Sequence, residues 1–337
     1  MLMPGSDIER LSRGNSAFKA DECSNALPHD RPTFATNWVR RVLVASIVFT
    51  IAASTLSACG ETGPSPEVGP ARSPVSSTVD SVAPSQATGP VYLALGDSAP
   101  LWNGNASYPN YIAAHYRSSI KGLKVVNLSV SGETSGSMLS GSSATSGSQQ
   151  QQAVSFLKMH RSSVVLITID IGGNDVLACG SGTNTSNCLQ QVEATMASNL
   201  TTILTQLRAA AGPSVPIVGM SYYDPYLGDW LAGGTARSTA TGSVPYLLTL
   251  NDLLAKTYGA AGDRVADVQD AFQSSDLSRN VSSPWGQVPV AVEQACSLLD
   301  MSCRVGQQTL GTDPSPAGAK VIAEAFERAI GVLSSAG

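Results

Sequence analysis

The sequence predicts an α/β fold, a three-layer sandwich in which helices cover both faces of a parallel sheet of about five strands. From Gly89 to the C-terminus, short apolar runs alternate with longer segments whose apolar residues recur at helical spacing. Alternation of this kind is typical of strand–helix–strand units, which build parallel sheets. The composition agrees, because 42% of the 337 residues are hydrophobic and 13% are charged, as in globular proteins.

The predicted elements follow one another regularly. The first strand ends at Gly96, where a sharp turn is expected. The predicted strands are Val91–Leu95, Leu123–Leu128, Val164–Ile171, Val215–Met220 and Val265–Val268. The predicted helices are Ser107–Tyr116, Gln149–Met159, Cys188–Ala211, Val244–Tyr258 and Pro316–Leu333. Gly132–Ser148 is rich in Gly, Ser and Thr and is predicted to be a loop, and Ser137–Gln152 is expected to be exposed.

Residues 1–58 are predicted to be an N-terminal region with an export signal. Arg40 and Arg41 precede an uncharged stretch, Val42–Ala58, which ends in small residues. Leu56-Ser-Ala-Cys59 resembles the lipobox of bacterial lipoproteins, and this resemblance implies that Cys59 carries the lipid. The alternative is an uncleaved membrane anchor, since the uncharged stretch is almost long enough to span. Either way, we expect the rest of the chain outside the cytoplasm.

The basic region ahead of the signal is longer than usual. Either the true start lies downstream of Met1, or Arg40-Arg41 belongs to a twin-arginine signal. Residues 59–89 are predicted to be a flexible tether because prolines recur among Ser, Gly and Thr without an apolar period. Residues 90–337 then form the folded domain. The net charge of −5 and the lack of a basic patch argue against nucleic acid as a partner.

Four of the six cysteines lie in the predicted domain as two near-neighbour pairs. In an exported domain this spacing favours two local disulfides, Cys179–Cys188 and Cys296–Cys303. A zinc site is the alternative, but the chain has no Cys-x-x-Cys pair and no histidine near these cysteines. No metal or cofactor is expected.

Three loops follow the first three predicted strands, and each carries a group suited to acyl transfer. Ser98 lies in the first loop, Gly132 in the second and Asn174 in the third. In a parallel sheet these loops meet at one edge. A serine hydroxyl, a backbone N–H and an amide N–H are the nucleophile and oxyanion donors that such chemistry requires.

These loops resemble the motifs of the SGNH hydrolases, also called the GDSL esterase and lipase family. The first block is Gly96-Asp97-Ser98, the second is centred on Gly132, and the third is Gly172-Gly-Asn174-Asp175. The resemblance implies a flavodoxin-like sheet, Ser98 as nucleophile, and Gly132 and Asn174 as the oxyanion hole. It also implies an ester substrate, which could be a small molecule, a lipid or a glycan.

The last block departs from the family pattern of Asp-x-x-His-Pro. Pro314, Gly318 and the following helix fix the register, so that Asp313 occupies the histidine position and Leu310 the aspartate position. Of the three histidines, His29 precedes the signal, and His115 and His160 are predicted far from Ser98. Asp313 is therefore the remaining candidate base, unless it only caps the last helix.

These observations leave two main functional hypotheses. One is a cell-surface SGNH-type esterase or lipase weakened by the replacement of histidine by Asp313, since members of a serine triad act as a unit. The alternative is a catalytically inactive lipoprotein that binds an ester, acyl or glycan ligand. An acyltransferase ranks third. Aromatic residues near the site could wall an apolar pocket or simply pack in the core: Tyr222, Tyr223, Tyr226, Trp102, Trp230 and Trp285.

Overall fold

A computed structural model describes residues 89–141, 147–180, 185–300, 303 and 311–333. The predicted export signal, the lipidation site Cys59 and most of the tether lie outside the described residues. Within the described ranges, no helix is both long and apolar enough to cross a membrane.

A five-stranded parallel sheet forms the centre of the domain and confirms the predicted fold class. Its strands are Val91–Gly96 (β1), Lys124–Asn127 (β2), Val164–Asp170 (β3), Ile217–Met220 (β4) and Arg264–Ala266 (β5). They lie in the order β2-β1-β3-β4-β5, and every adjacent pair is parallel. Strands are added on one side of β1 first and then on its other side, so the strand order reverses between β1 and β3. Doubly wound sheets bind their ligands at such a switch point.

Helices cover the sheet as two groups. Those with described bounds are Tyr108–Tyr116 (α1), Ser135–Ser140 (α2), Gln149–His160 (α3), Gly173–Leu177 (α4), Thr185–Ala211 (α5), Gly234–Ala260 (α6), Val268–Ala271 (α7), Val290–Leu298 (α8) and Pro316–Ile330 (α9). In one group α1, α7 and α8 pack against α9. In the other α3 and α6 pack against α5. Every residue of β1 and β3 is buried between them.

Several elements differ from the sequence prediction. The predicted loop after Gly132 contains α2, which begins because Thr134 and Ser137 form a reciprocal capping box. Helix α6 begins at Gly234 rather than Val244 and continues through Pro245. An antiparallel hairpin of Asn280–Ser283 (β6) and Gly286–Pro289 (β7) was not predicted.

Both predicted disulfides are present. The Cα atoms are 5.7 Å apart in Cys179–Cys188 and 5.2 Å apart in Cys296–Cys303, within the usual range for a disulfide. The first bond closes the segment between α4 and α5, and the second holds the chain that follows α8.

Candidate active site

Ser98 lies in a tight turn directly after β1. Its carbonyl oxygen accepts hydrogen bonds from the backbone N–H groups of Leu101 (2.9 Å) and Trp102 (3.1 Å). The side chain is half-buried and lies at the carboxyl edge of the sheet beside the switch point between β1 and β3. The turn therefore holds the predicted nucleophile at the edge of the sheet where doubly wound folds bind their ligands.

Asp97 fixes this turn, as the sequence predicts. Its buried carboxylate accepts hydrogen bonds from the Ala99 N–H (3.1 Å) and the Tyr222 hydroxyl (3.1 Å). The Asn174 amide nitrogen lies 3.5 Å from the same carboxylate. Burial raises the pKa of Asp97 to about 6, and the hydrogen bonds from Ala99 and Tyr222 oppose the rise.

A second buried carboxyl group, Asp170 at the end of β3, lies against Asp97. Asp170 accepts a hydrogen bond from the Tyr108 hydroxyl at 3.1 Å. Burial raises the pKa of Asp170 well above its usual range, and the adjacent Asp97 charge raises it further. The interaction between the two side chains raises the pKa of Asp170 and lowers that of Asp97, so Asp170 is the member of the pair that holds a proton more readily. The sequence analysis missed this pair, although a charged residue inside an apolar strand was a usable signal.

The second loop carries Gly132, whose backbone φ of +76° favours glycine. Within the described part of the chain, the Gly132 N–H has no hydrogen-bond acceptor. The next residue, Glu133, is buried, and its carboxylate accepts hydrogen bonds from the Ser137 hydroxyl and from Gln149 Nε2, the latter at 3.0 Å. The loop is thus rigidly held on one side while the glycine N–H stays free to bind an anion.

Gln149 joins the first two loops. Its Oε1 accepts from the Gly96 N–H at 2.7 Å, and its Nε2 donates to the Gly96 carbonyl at 2.9 Å. The same Nε2 donates to Glu133. The predicted exposure of Ser137–Gln152 was therefore wrong in part, because Gln149 and Gln150 are buried.

The third loop places Asn174 between the other two. Asn174 Nδ2 donates to the Glu133 carbonyl at 3.0 Å and lies 3.5 Å from Asp97. The neighbouring Asp175 accepts hydrogen bonds from the Ser135 N–H (2.8 Å) and hydroxyl (2.6 Å). Asp175 therefore fastens the second loop to the third. These bonds bring the three loops together, which positions Asn174 beside the nucleophile turn.

Asp313 reaches the site from the segment before α9. Asp313 is half-buried and lines the same cavity as Ser98. Burial raises the pKa of its carboxyl, the neighbouring Ser98 hydroxyl lowers it, and the charge of Asp300 raises it again. The cap of α9 is Ser315, which accepts from the Gly318 N–H. The capping alternative for Asp313 therefore has no support.

Three contacts hold the Asp313 segment in place. The Tyr223 hydroxyl donates to the Thr312 carbonyl at 2.6 Å. Asn103 Nδ2 donates to the Pro314 carbonyl at 2.8 Å. The Asp300 N–H donates to the Asp313 carbonyl at 2.9 Å.

The two histidines of the domain are engaged elsewhere. His115 Nδ1 pairs with Glu327 Oε2 at 3.2 Å. The ring of His160 lies 4.5 Å from that of Phe156. Neither histidine lines the cavity that contains Ser98, so neither is placed to take the serine proton.

A cavity of about 320 Å³ opens beside Ser98. Asn174, Asp313 and three of the six predicted aromatic residues, Tyr222, Tyr223 and Tyr226, line it. Gly132 and the three tryptophans are not among its lining residues. Trp102 instead donates from Nε1 to Asp300 at 3.3 Å.

Asp224 also lines this cavity and is buried. It accepts hydrogen bonds from the Ser243 hydroxyl (2.6 Å) and the Tyr226 N–H (3.0 Å). Burial raises its pKa to about 6, and the two donors oppose the rise. Among the described residues, no cluster of three or more His, Cys, Asp or Glu side chains is arranged to hold a metal ion.

Comparison with known proteins identifies the class. The profile of the GDSL-like lipase/acylhydrolase family matches residues 94–286, which is more than half of the chain. The chain therefore belongs to this family, and it is a hydrolase of the esterase and lipase kind. No curated protein matches it.

Solved structures with similar folds include a phospholipase, an acetylxylan esterase and a lipase. Phospholipase A1 from Streptomyces albidoflavus is 18% identical, with a TM-score of 0.48, and the match covers 72% of this chain and 100% of that one. A catalytic mutant of Axe2, an acetylxylan esterase from Geobacillus stearothermophilus, is 16% identical, with a TM-score of 0.46 and coverage of 73% and 95%. An extracellular lipase from Streptomyces rimosus is 18% identical, with a TM-score of 0.45 and coverage of 72% and 100%.

Proposed function

We propose that this chain is an exported, lipid-anchored serine hydrolase that cleaves carboxylic esters with Asp313 in place of a catalytic histidine. The observation that carries the proposal is that Ser98 and Asp313 line the same cavity, close enough for the Ser98 hydroxyl to lower the pKa of the Asp313 carboxyl. A nucleophilic serine requires a base within hydrogen-bond reach. Asp313 lines the cavity together with Ser98, and His115 and His160 do not.

The reaction begins with transfer of the Ser98 proton to Asp313 as Ser98 Oγ attacks the ester carbonyl carbon. The resulting oxyanion accepts hydrogen bonds from the Gly132 N–H and from Asn174 Nδ2. Asn174 keeps one N–H on the Glu133 carbonyl and turns the other, which makes only a 3.5 Å contact with Asp97, towards the oxyanion. Collapse of the tetrahedral intermediate releases the alcohol, which takes the proton from Asp313. Water then hydrolyses the acyl-serine by the same route.

Asp313 is a weaker base than the histidine it replaces. An unperturbed aspartate has a pKa about two and a half units below that of histidine, and proton transfer is less efficient with the weaker base. Burial and the charge of Asp300 raise the pKa of Asp313 and so recover part of the difference. The expected activity is therefore lower than that of a complete triad.

The test uses the full-length chain in detergent, with p-nitrophenyl butyrate as substrate and a fluorophosphonate probe. Labelling and hydrolysis should be lost in Ser98→Ala. They should persist in Ser118→Ala, a control at an exposed serine whose hydroxyl bonds only to a backbone carbonyl. Asp313→Asn should label slowly. Equal labelling of wild type and Ser98→Ala would overturn the proposal.

A double variant asks whether the lost motif can be rebuilt. Asp313→His together with Leu310→Asp restores the residue types of the family pattern, although Leu310 lies outside the described residues. Hydrolysis above the wild-type level would support the view that the site has retained its geometry.

The second candidate is a non-catalytic ester- or acyl-binding lipoprotein. The observation that favours it is that none of the described residues lining the cavity is a histidine. Failure of both wild type and the double variant to label, with saturable binding of an ester, would select this function.

The lipid anchor rests on the residues before the tether, Leu56-Ser-Ala-Cys59. Cys59→Ser should release the protein from membranes. Unchanged membrane retention of Cys59→Ser would instead indicate an uncleaved anchor.

A further inference from the structure

The cavity beside Ser98 continues as an apolar groove between α6 on one side and α4 and the start of α5 on the other. Its apolar walls are formed by Val176, Leu177, Leu189, Tyr246, Leu247 and Leu250. We propose that this groove binds the acyl chain of a neutral, medium- to long-chain ester and that the lack of a side chain at Gly242 leaves the space that the chain occupies. The proposal rests on the proposed function, because the groove starts at the serine that would hold the acyl group.

The groove is long enough to hold an acyl chain. Its lining positions on α6 run from Thr239 to Leu250, eleven steps along a helix, or about 16 Å at 1.5 Å per residue. The cavity of about 320 Å³ has room for a flexible aliphatic chain lying along this helix.

The inner end of the groove is fixed next to the reactive edge of the sheet. Asn251, the residue after Leu250, bonds with its side chain to both the N–H and the carbonyl of Tyr222, at 2.7 Å and 2.9 Å. The Tyr222 hydroxyl in turn reaches Asp97, the neighbour of Ser98. An acyl carbonyl on Ser98 would therefore direct its chain along α6.

The charges on the wall favour a neutral ligand. Among the described residues that line the groove, none is Lys, Arg or His. The buried Asp224 already accepts hydrogen bonds on both carboxyl oxygens. A phosphate or carboxylate on the chain would find no cation there, and burial of an unpaired charge is costly. An uncharged acyl chain meets apolar surface instead.

Gly242 is the smallest residue on the α6 wall of the groove. It lies inside a long helix, where glycine is less favourable than alanine. A Cβ at this position would meet no atom within 4 Å, so packing against protein does not require glycine. Tyr246, one turn further on the same face, bonds through its hydroxyl to the Ser186 hydroxyl at 3.1 Å and so joins the two walls of the groove. A larger side chain at position 242 would fill the space between them.

The test compares Gly242→Leu with Gly259→Leu, a matched control at another open glycine of α6 that is not a lining residue. The full-length protein is assayed with p-nitrophenyl acetate and p-nitrophenyl octanoate. The ratio of kcat/KM for octanoate to that for acetate should fall at least tenfold in Gly242→Leu. It should not change in Gly259→Leu. Gly242→Ala should give an intermediate ratio, which guards against misfolding of the leucine variant.

A binding measurement separates this inference from the proposed function. Calorimetric titration of Ser98→Ala with methyl octanoate should show saturable binding that Gly242→Leu in the same background weakens at least tenfold. Binding without any hydrolysis by the wild type would retain the groove and overturn the hydrolase. Hydrolysis with an unchanged chain-length ratio, or with no binding of methyl octanoate, would retain the hydrolase and overturn the groove.

Discussion

The hydroxyl of Tyr223 donates a hydrogen bond to the carbonyl oxygen of Thr312, 2.6 Å away, one residue before Asp313. Tyr223 follows β4, whereas Thr312 belongs to the segment before α9, so this bond ties the candidate base to the sheet. Tyr223→Phe keeps the ring, which stacks on Phe272, and removes only the bond. We expect a loss of about 1 kcal/mol in the free energy of unfolding.

The same variant should lower kcat by about tenfold, because a loosened Asp313 is less often within reach of Ser98. Urea unfolding and ester hydrolysis measure the two effects. Tyr226→Phe is the control, because Tyr226 follows the same strand and its hydroxyl has no hydrogen-bond partner among the residues that the structure describes. Equal kcat for Tyr223→Phe and wild type would show that the segment is held without this bond.

The pH profile of hydrolysis should identify Asp313 as the base. Its raised pKa predicts that kcat/KM increases with pH through a single ionisation above the usual range of aspartate. Asp313→Asn should abolish this limb, and Asp313→His should move it towards the pKa of imidazole. A wild-type limb that persists in Asp313→Asn would assign the base to another group.

Gly96 cannot be replaced without disturbing β3. A Cβ on Gly96 would lie 1.7 Å from Asp170 Oδ1 and 2.4 Å from the Asp170 carbonyl oxygen, at a φ of +137°. We expect Gly96→Ala to lower the free energy of unfolding by about 3 kcal/mol or more. Gly122→Ala, with a φ of +79° and no atom within 4 Å, should cost only the backbone strain of about 1–2 kcal/mol. Similar urea midpoints for the two variants would contradict this account.

Stability should fall as the pH rises from about 4 to 6. In this window the folded state keeps Asp224 protonated, with its pKa raised to about 6, whereas the unfolded state releases the proton near the ordinary value of 3.8. The unfolding free energy should therefore decrease across the window, by up to about 3 kcal/mol for this group. Asp97, whose pKa is also raised to about 6, contributes to the same fall. Asp224→Asn should therefore reduce the slope without abolishing it, and Asp252→Asn, at a carboxylate 78% exposed, should leave the slope unchanged. Urea titrations at several pH values test both.

The disulfides should contribute modestly. Each closes a short loop, with sequence separations of 9 and 7, so the entropy model predicts about 2–3 kcal/mol at most for each. The double variant Cys179→Ser with Cys188→Ser should lower the unfolding free energy by no more than that. Alkylation of the unfolded, unreduced protein should leave all four cysteines unmodified. Modification of these residues without reductant would contradict the pairing.

The central fold could be predicted because buried parallel strands are continuous apolar runs. Val164–Asp170 is the clearest case, since all of its residues are buried. The start of α6 could not be predicted in the same way. The stretch from Gly234 to Ser243 has no apolar period, and its helix is supported by a tertiary hydrogen bond from Ser243 to Asp224.

In the candidate site, too, the residues in local sequence motifs could be predicted and the contacts that depend on tertiary structure could not. Ser98, Asn174 and Asp313 could be predicted because each belongs to a recognisable motif after a strand or before a helix. The pairing of Asp97 with Asp170 could not, because it depends on the register between β1 and β3, in which Gly96 lies opposite Asp170. That register becomes known only once the strands are aligned.

The glutamine run at the start of α3 carries information in its length. Ser148 caps the helix by accepting from the Gln151 N–H at 3.1 Å, which fixes where the helix begins. One more glutamine in Gln149–Gln152 would leave the cap and the Gln149 contacts in place but rotate everything beyond the run by about 100°. Phe156 and Leu157, now buried, would turn away from the core. The number of glutamines in this repetitive stretch therefore sets which face of the helix packs against the core. We expect an insertion there to be more damaging than a substitution at one of its exposed residues.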